Sequence, residues 1–165
     1  MSYEMIEACQ NIPGIIIFEI SNLAFCANLD DVYLIREIKE FRQQDIINQN
    51  NKGYNRLYNS DIVLIDLAKY FDLPVMGVQP SSRIIIINHF IVEGEMTLRY
   101  GFIADKVNEI VTLNYNKNYQ ILNFAKSENG SFLEGKILYE NRELILPDFS
   151  KIGASLLEDK AKCRN

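Results

Sequence analysis

The sequence predicts a mainly β protein of barrel or sandwich type, and three observations predict it. Apolar, β-branched runs recur in lengths too short for helices: GIIIFEI from Gly14, IVLI from Ile62 and IIII from Ile84. Turn chemistry separates such runs at fairly regular intervals, at Ser21-Asn22, Glu93-Gly94-Glu95 and Asn141-Arg142. No self-similar period of the solenoid kind runs through the chain.

The elements follow in order. Residues 1–13 read as a loose lead-in. Residues 14–20 form a strand, Ser21-Asn22 a tight turn, and residues 23–27 (LAFCA) the hairpin partner. Asp30 can accept the unbonded amide protons of a first helical turn, so a short helix is expected over residues 30–38. Val32, Ile35 and Ile38 then share one face. Residues 45–54, rich in Asn, read as a loop. A strand over 61–65 leads into one or two helical turns over 66–71, which Asp72-Leu73-Pro74 terminates.

The central stretch is 83–113. It reads as a strand, a hairpin at Glu93-Gly94-Glu95, a second strand over 96–104, a bend at Asp105-Lys106 and a third strand. Gly101 inside the second strand marks a bulge or a close backbone approach. Residues 114–130 are polar and carry little pattern. Residues 132–139 and 143–146 form a hairpin around Asn141-Arg142, and Asp148 caps a helix reaching residue 157.

Composition narrows the function. At 165 residues the chain is one domain, or two small barrels sharing a core. Its net charge of −5 argues against general binding to nucleic acid or to an anionic membrane, both of which need a positive surface. No apolar run approaches the roughly 20 residues of a membrane span, so no direct membrane insertion is expected. The acidic opening MSYEMIEACQ does not read as a signal peptide, which points to the cytoplasm. Cys9, Cys26 and Cys163 have neither zinc spacing nor a disulfide framework and read as reduced thiols.

Catalytic chemistry finds little support. His89 is the one histidine, and it reads as an ordinary strand residue rather than a general base or metal ligand. A Cys26/His89 nucleophile and base would need a contact that the sequence does not supply. Glu93 and Glu95 read as solvated turn charges rather than an acid–base pair. There is no phosphate-binding loop, dinucleotide fingerprint or HExxH. The expectation is therefore no catalytic residue, no metal and no cofactor.

Four segments carry a resemblance. Residues 101–110, Gly-Phe-Ile-Ala-Asp-Lys-Val-Asn-Glu-Ile, resemble the strand-and-bend motif of CheW-like domains, the coupling proteins of bacterial chemotaxis arrays. GIIIFEISNLAFCANLDDVYLIREI is similar to the family's first hairpin and the segment after it. IVLIDLAKYFDLP resembles its hydrophobic-Pro-hydrophobic-hydrophobic-Asp-Leu motif: Asp66, Leu67, Phe71, Leu73 and Pro74 match. Val63 stands where proline is common, and Asp72 where glycine is common. FLEGKILYENRELILPDFSKI is similar to the closing hairpin and helix, Gly135 included. The segments are co-linear over residues 14–157.

The resemblance implies two small five-stranded SH3-like barrels packed together. They would run roughly over residues 14–74 and 83–146 of a single domain spanning 1–165, with the helix 148–157 packing back. It implies a non-catalytic adaptor joining the cytoplasmic tip of a methyl-accepting chemoreceptor to the regulatory domain of a CheA-like histidine kinase, in flagellar chemotaxis or a pilus pathway. The family's Asn-Leu-Arg-Gly motif departs here to Arg56-Leu57-Tyr58-Asn59, with tyrosine at the arginine position. The implied partner-binding groove comprises Val32, Ile35, Arg56, Leu57, Tyr58 and Asn59. A small-ligand-binding barrel, or an enzyme on a barrel fold, is the alternative reading.

Overall fold

A computed structural model describes residues 14–38, 54–56, 62–74, 76–93, 96–112, 119–122 and 132–163. Eleven strands lie among them: β1 (Gly14–Ile20), β2 (Leu23–Asn28), β3 (Val32–Glu37), β4 (Tyr54–Arg56), β5 (Ile62–Ile65), β6 (Arg83–Glu93), β7 (Met96–Ala104), β8 (Lys106–Thr112), β9 (Tyr119–Leu122), β10 (Leu133–Tyr139) and β11 (Arg142–Pro147). One helix, α1 (Phe149–Cys163), follows. A six-stranded sheet has the order β8-β1-β2-β11-β10-β9, and a five-stranded sheet the order β3-β6-β7-β5-β4. The predicted mainly β architecture in two packed units holds, with six and five strands in place of five and five.

The sheets do not divide the chain at its middle. The five-stranded sheet takes everything from β3 to β7, and the six-stranded sheet takes β1, β2 and then β8 to β11. The expected halves, 14–74 and 83–146, therefore each contribute to both sheets. The cause is local: after β2 the chain turns out of its sheet into β3, and it returns only when β8 pairs with β1.

Three apolar clusters explain the sequence pattern. The main core lies between the sheets and joins Ile16, Phe18 and Phe25 of one sheet to Ile85, Ile87, Tyr100 and Phe102 of the other. The opposite face of the six-stranded sheet buries Ile15, Ile17, Cys26, Ile137 and Leu144. The opposite face of the five-stranded sheet buries Ile38, Leu64, Ile84 and Ile86. β1 and β6 are thus covered on both faces, which is why they read as unbroken apolar runs rather than as alternating ones.

Helix α1 closes the main core. The Asp148 carboxylate accepts from the Lys151 amide at 3.1 Å, the predicted cap. Phe149 stacks on Phe102 with ring centroids 6.1 Å apart, and the Tyr100 hydroxyl donates to the Phe149 carbonyl at 2.6 Å. Burial pushes the Tyr100 phenol well above its usual range, so it stays a donor at any working pH. The helix runs to Cys163, beyond the expected end near residue 157.

The helix expected over 30–38 is not there. A single 3₁₀ turn, Leu29–Asp31, is capped by Asn28 rather than by Asp30, and β3 follows at once. The segment VYLIRE is rich in β-branched and aromatic residues, and β6 offers a partner along its length. The spacing of Val32 and Ile35 that suggested a helix has another origin. A register shift between Val32 and Leu34 inserts an extra residue, so both side chains pack toward the main core although they are three apart. Ile38 belongs to a different cluster.

Elsewhere the turn chemistry holds. Ser21 and Asn22 both have positive φ, as do Glu140 and Asn141, the signature of two-residue hairpin loops. The second turn therefore sits one residue earlier than expected, with Arg142 paired opposite Tyr139. Asp66 caps the predicted turns, which form a 3₁₀ helix over Leu67–Phe71. Burial raises the pKa of Asp66 despite the amide of Ala68 that it accepts from at 3.2 Å. Asp72 follows with φ 55°, in the left-handed region that explains why glycine suits that position.

Candidate partner-binding site

Of the six residues expected to line a groove, Val32 and Ile35 both lie on β3 and pack against the main core. Both are half-buried at the margin of the core between the sheets, on β3, which is an edge strand. Arg56 ends β4 at the other edge of the same sheet, where its backbone pairs with Val63. Leu57, Tyr58 and Asn59 lie outside the described residues. So do Gly94 and Glu95 of the central hairpin, although Glu93 and Met96 pair directly across it.

Asp105, in the motif that carried the resemblance, has a clear mechanical task. Its carboxylate accepts from the Ser21 amide at 2.8 Å, and its own amide donates to the Glu19 carbonyl at 2.9 Å. The Ser81 hydroxyl donates to the Asp105 carbonyl at 2.8 Å, and the Ser21 hydroxyl to the Pro74 carbonyl. One bend thus ties the β1–β2 turn to the segment entering β6. A short acceptor-rich side chain suits that junction because it satisfies a turn amide with no partner in the β ladder.

The two reactive side chains are separated. Cys26 is fully buried behind the six-stranded sheet, and burial pushes its thiol up to about 12. A thiol so placed is neither nucleophile nor ligand at neutral pH. His89 Nε2, on β6 of the other sheet, lies 3.2 Å from Asp31 Oδ1 in the 3₁₀ turn before β3, each side chain about one-third exposed. Among the described residues, no group of three His, Cys, Asp or Glu side chains could hold a metal ion. No described helix is long and apolar enough to cross a membrane.

Sequence reasoning missed one cluster. Arg99 of β7 faces away from the main core, and its guanidinium lies 3.8 Å from the ring centroid of Tyr33 and 4.3 Å from that of Phe90. Two irregularities build it: the extra residue in β3 at Tyr33, and a register shift in β6 between Ile86 and Phe90. Neither irregularity is visible in a single sequence. The one available signal was Arg99 standing amid the strand's apolar residues.

Two packed β sheets sharing one core, with Tyr33 and Phe90 exposed on one of them, define the class of fold. The model of the CheW-like domain matches residues 14–156, and the chain belongs to that family. No curated protein matches the sequence significantly. Among 15 matching chains of solved structures is the crystal structure of the scaffolding protein TtCheW from Thermoanaerobacter tengcongensis. It is 21% identical with a TM-score of 0.60, and the match covers 82% of this chain and 83% of that one. At that identity the likeness concerns the fold.

Proposed function

We propose that this chain is a non-catalytic cytoplasmic adaptor that couples the tip of a methyl-accepting chemoreceptor to the regulatory domain of a CheA-type histidine kinase. The pathway is flagellar chemotaxis or pilus-driven twitching. The observation that carries the reading is the family match over residues 14–156, which takes in both sheets and most of the closing helix. The receptor tip is assigned to the groove at the margin of the shared core, where Val32 and Ile35 offer apolar surface. Tyr58 replaces the family's arginine there, so receptor binding rests on apolar contact more than on charge.

The test is titration of a purified receptor-tip fragment at low and high salt. Tyr58→Ala is expected to weaken binding by about 2 kcal/mol or more, the scale of an aromatic anchor in a desolvated interface centre. Binding of the wild type is expected to change little with salt, because screening acts mainly on exposed charges. Equal affinity of Tyr58→Ala and wild type removes Tyr58 from the groove.

A further inference from the structure

The hairpin of β6 and β7 outreaches its sheet. β3 leaves β6 at the pair Val32–Ile87, and β5 leaves β7 at the pair Ile62–Arg99. Beyond those points residues 91–93 and 96–98 pair, among the described residues, only with each other. This two-stranded arm lays one face on the main core through Ile91 and Leu98, both buried, and turns Val92 outward.

The arm joins the sheet through an irregular stretch. From the pair Ile86–Gly101 to the pair Phe90–Arg99 the chain advances four residues along β6 and two along β7, so β6 carries two residues that the ladder leaves over. Such a bulge interrupts the ladder and bends the strand, and a ribbon swings there without losing the pairing on either side. His89 lies in that stretch. Its Nε2 is 3.2 Å from Oδ1 of Asp31, in the 3₁₀ turn that leads into β3. The pair therefore bridges the hinge, from the root of the arm to the edge of the sheet. Both side chains are about one-third exposed, so the imidazole exchanges protons with solvent directly.

The charged groups on the elements around β6 can be placed in turn. Asp30 adjoins Asp31 in the 3₁₀ turn. Asp148 and Lys151 stand at the start of α1, which packs on β6. Arg99 is on the other face of the sheet, beside Phe90. Arg36 and Glu37 of β3 pair with Ile84 and Arg83, at the far end of β6. Asp31 is the one carboxylate among the described residues within ion-pair distance of the ring.

We propose that His89 and Asp31 form a pH-sensitive latch on the β6–β7 arm. The imidazolium and the carboxylate hold the root of the arm against the turn. The neutral ring keeps a hydrogen bond to the carboxylate and loses the charge. Imidazole is the side chain that changes charge between about pH 5 and pH 8, and carboxylates are ionised through that span. The latch is therefore tight at the acidic end and loosens as the pH rises. What the arm uncovers when it swings is Ile91, Leu98 and the core margin against which Val32 and Ile35 pack. On the adaptor reading, on which this consequence rests, that margin is the receptor groove, and the position of the arm sets how much of it is accessible.

The experiment measures amide hydrogen exchange of the full chain at about pH 5.5 and about pH 8, as protection relative to the intrinsic rate at each pH, for wild type, His89→Gln and Asp31→Asn. Both side chains are partly exposed and belong to no apolar cluster, so both variants fold. Protection at Ile91, Val92, Thr97 and Leu98, read against the amides of β1 and β2, is expected to fall about two- to fivefold from the lower pH to the higher in wild type, the scale of a partly exposed ion pair. In both variants it is expected to be the same at the two pH values and close to the wild-type level at the higher one. Protection that is flat in wild type overturns the latch, as does an equal fall in wild type and both variants. Titration of the receptor-tip fragment at the two pH values reads the consequence: wild type is expected to bind more tightly at the higher pH, and each variant equally at both. A receptor tip that binds none of the three, with the exchange result as expected, overturns the adaptor reading and supports the latch. A receptor tip that binds all three, with flat exchange, overturns the latch and supports the adaptor reading.

Discussion

Gly101→Val is expected to leave the chain without its native five-stranded sheet. A Cβ at Gly101 would stand 2.7 Å from the Ile85 carbonyl oxygen and 3.3 Å from the Ile86 Cα. Both are backbone atoms of β6, an interior strand that pairs with β3 on its other side. The strand cannot retreat without breaking that second ladder. A β-branched side chain adds two methyl groups to a site that already rejects one, so the expected cost exceeds about 4 kcal/mol, the range reserved for clashes that the fold cannot absorb. Urea unfolding monitored by far-ultraviolet circular dichroism reads it. A wild-type midpoint for Gly101→Val would mean that the bulge in β6 between Ile86 and Phe90 takes up the strain.

Tyr100 gives the second large effect, and a pair of substitutions separates its parts. Tyr100→Ala removes one of the largest fully buried side chains from between the sheets, and a loss of about 3–5 kcal/mol is expected for an aromatic core truncation. Tyr100→Phe keeps the ring and removes only the hydrogen bond to the Phe149 carbonyl, for a loss near 1 kcal/mol. At about 2–4 °C per kcal/mol for a chain of this size, thermal melts resolve the two. Equal losses from both substitutions would place the weight on the tie to α1 instead of on ring packing.

The strands were legible because burial on both faces writes itself into sequence as β-branched runs, at Ile15–Ile17 and Ile84–Ile87 above all. Caps were legible where one short polar side chain has one local amide to meet, as at Asp66 and Asp148. β3 was misread because its bulge produces a three-residue spacing that mimics a helical turn. The site was less legible than the fold. The resemblance named Val32 and Ile35, which lie on β3 against the main core, whereas the Tyr33–Arg99–Phe90 cluster depends on two register shifts in neighbouring strands. Local sequence does not encode where a ladder skips a residue; the competition between packing faces decides it.

The order in which the strands enter their sheets bears on how the chain is made. β2 meets β11 through the pair Phe25 and Ile145, and β1 meets β8, so the β1–β2 hairpin is synthesised before either of its lateral neighbours. Its apolar faces and open ladders wait while the whole of the other sheet is synthesised and paired within itself. For that interval the nascent protein carries a sticky, unpaired edge, the condition in which chains join one another by mistake. The contiguous sheet from β3 to β7 is then the part able to form early, and the six-stranded sheet is closed last by the arrival of the C-terminal strands.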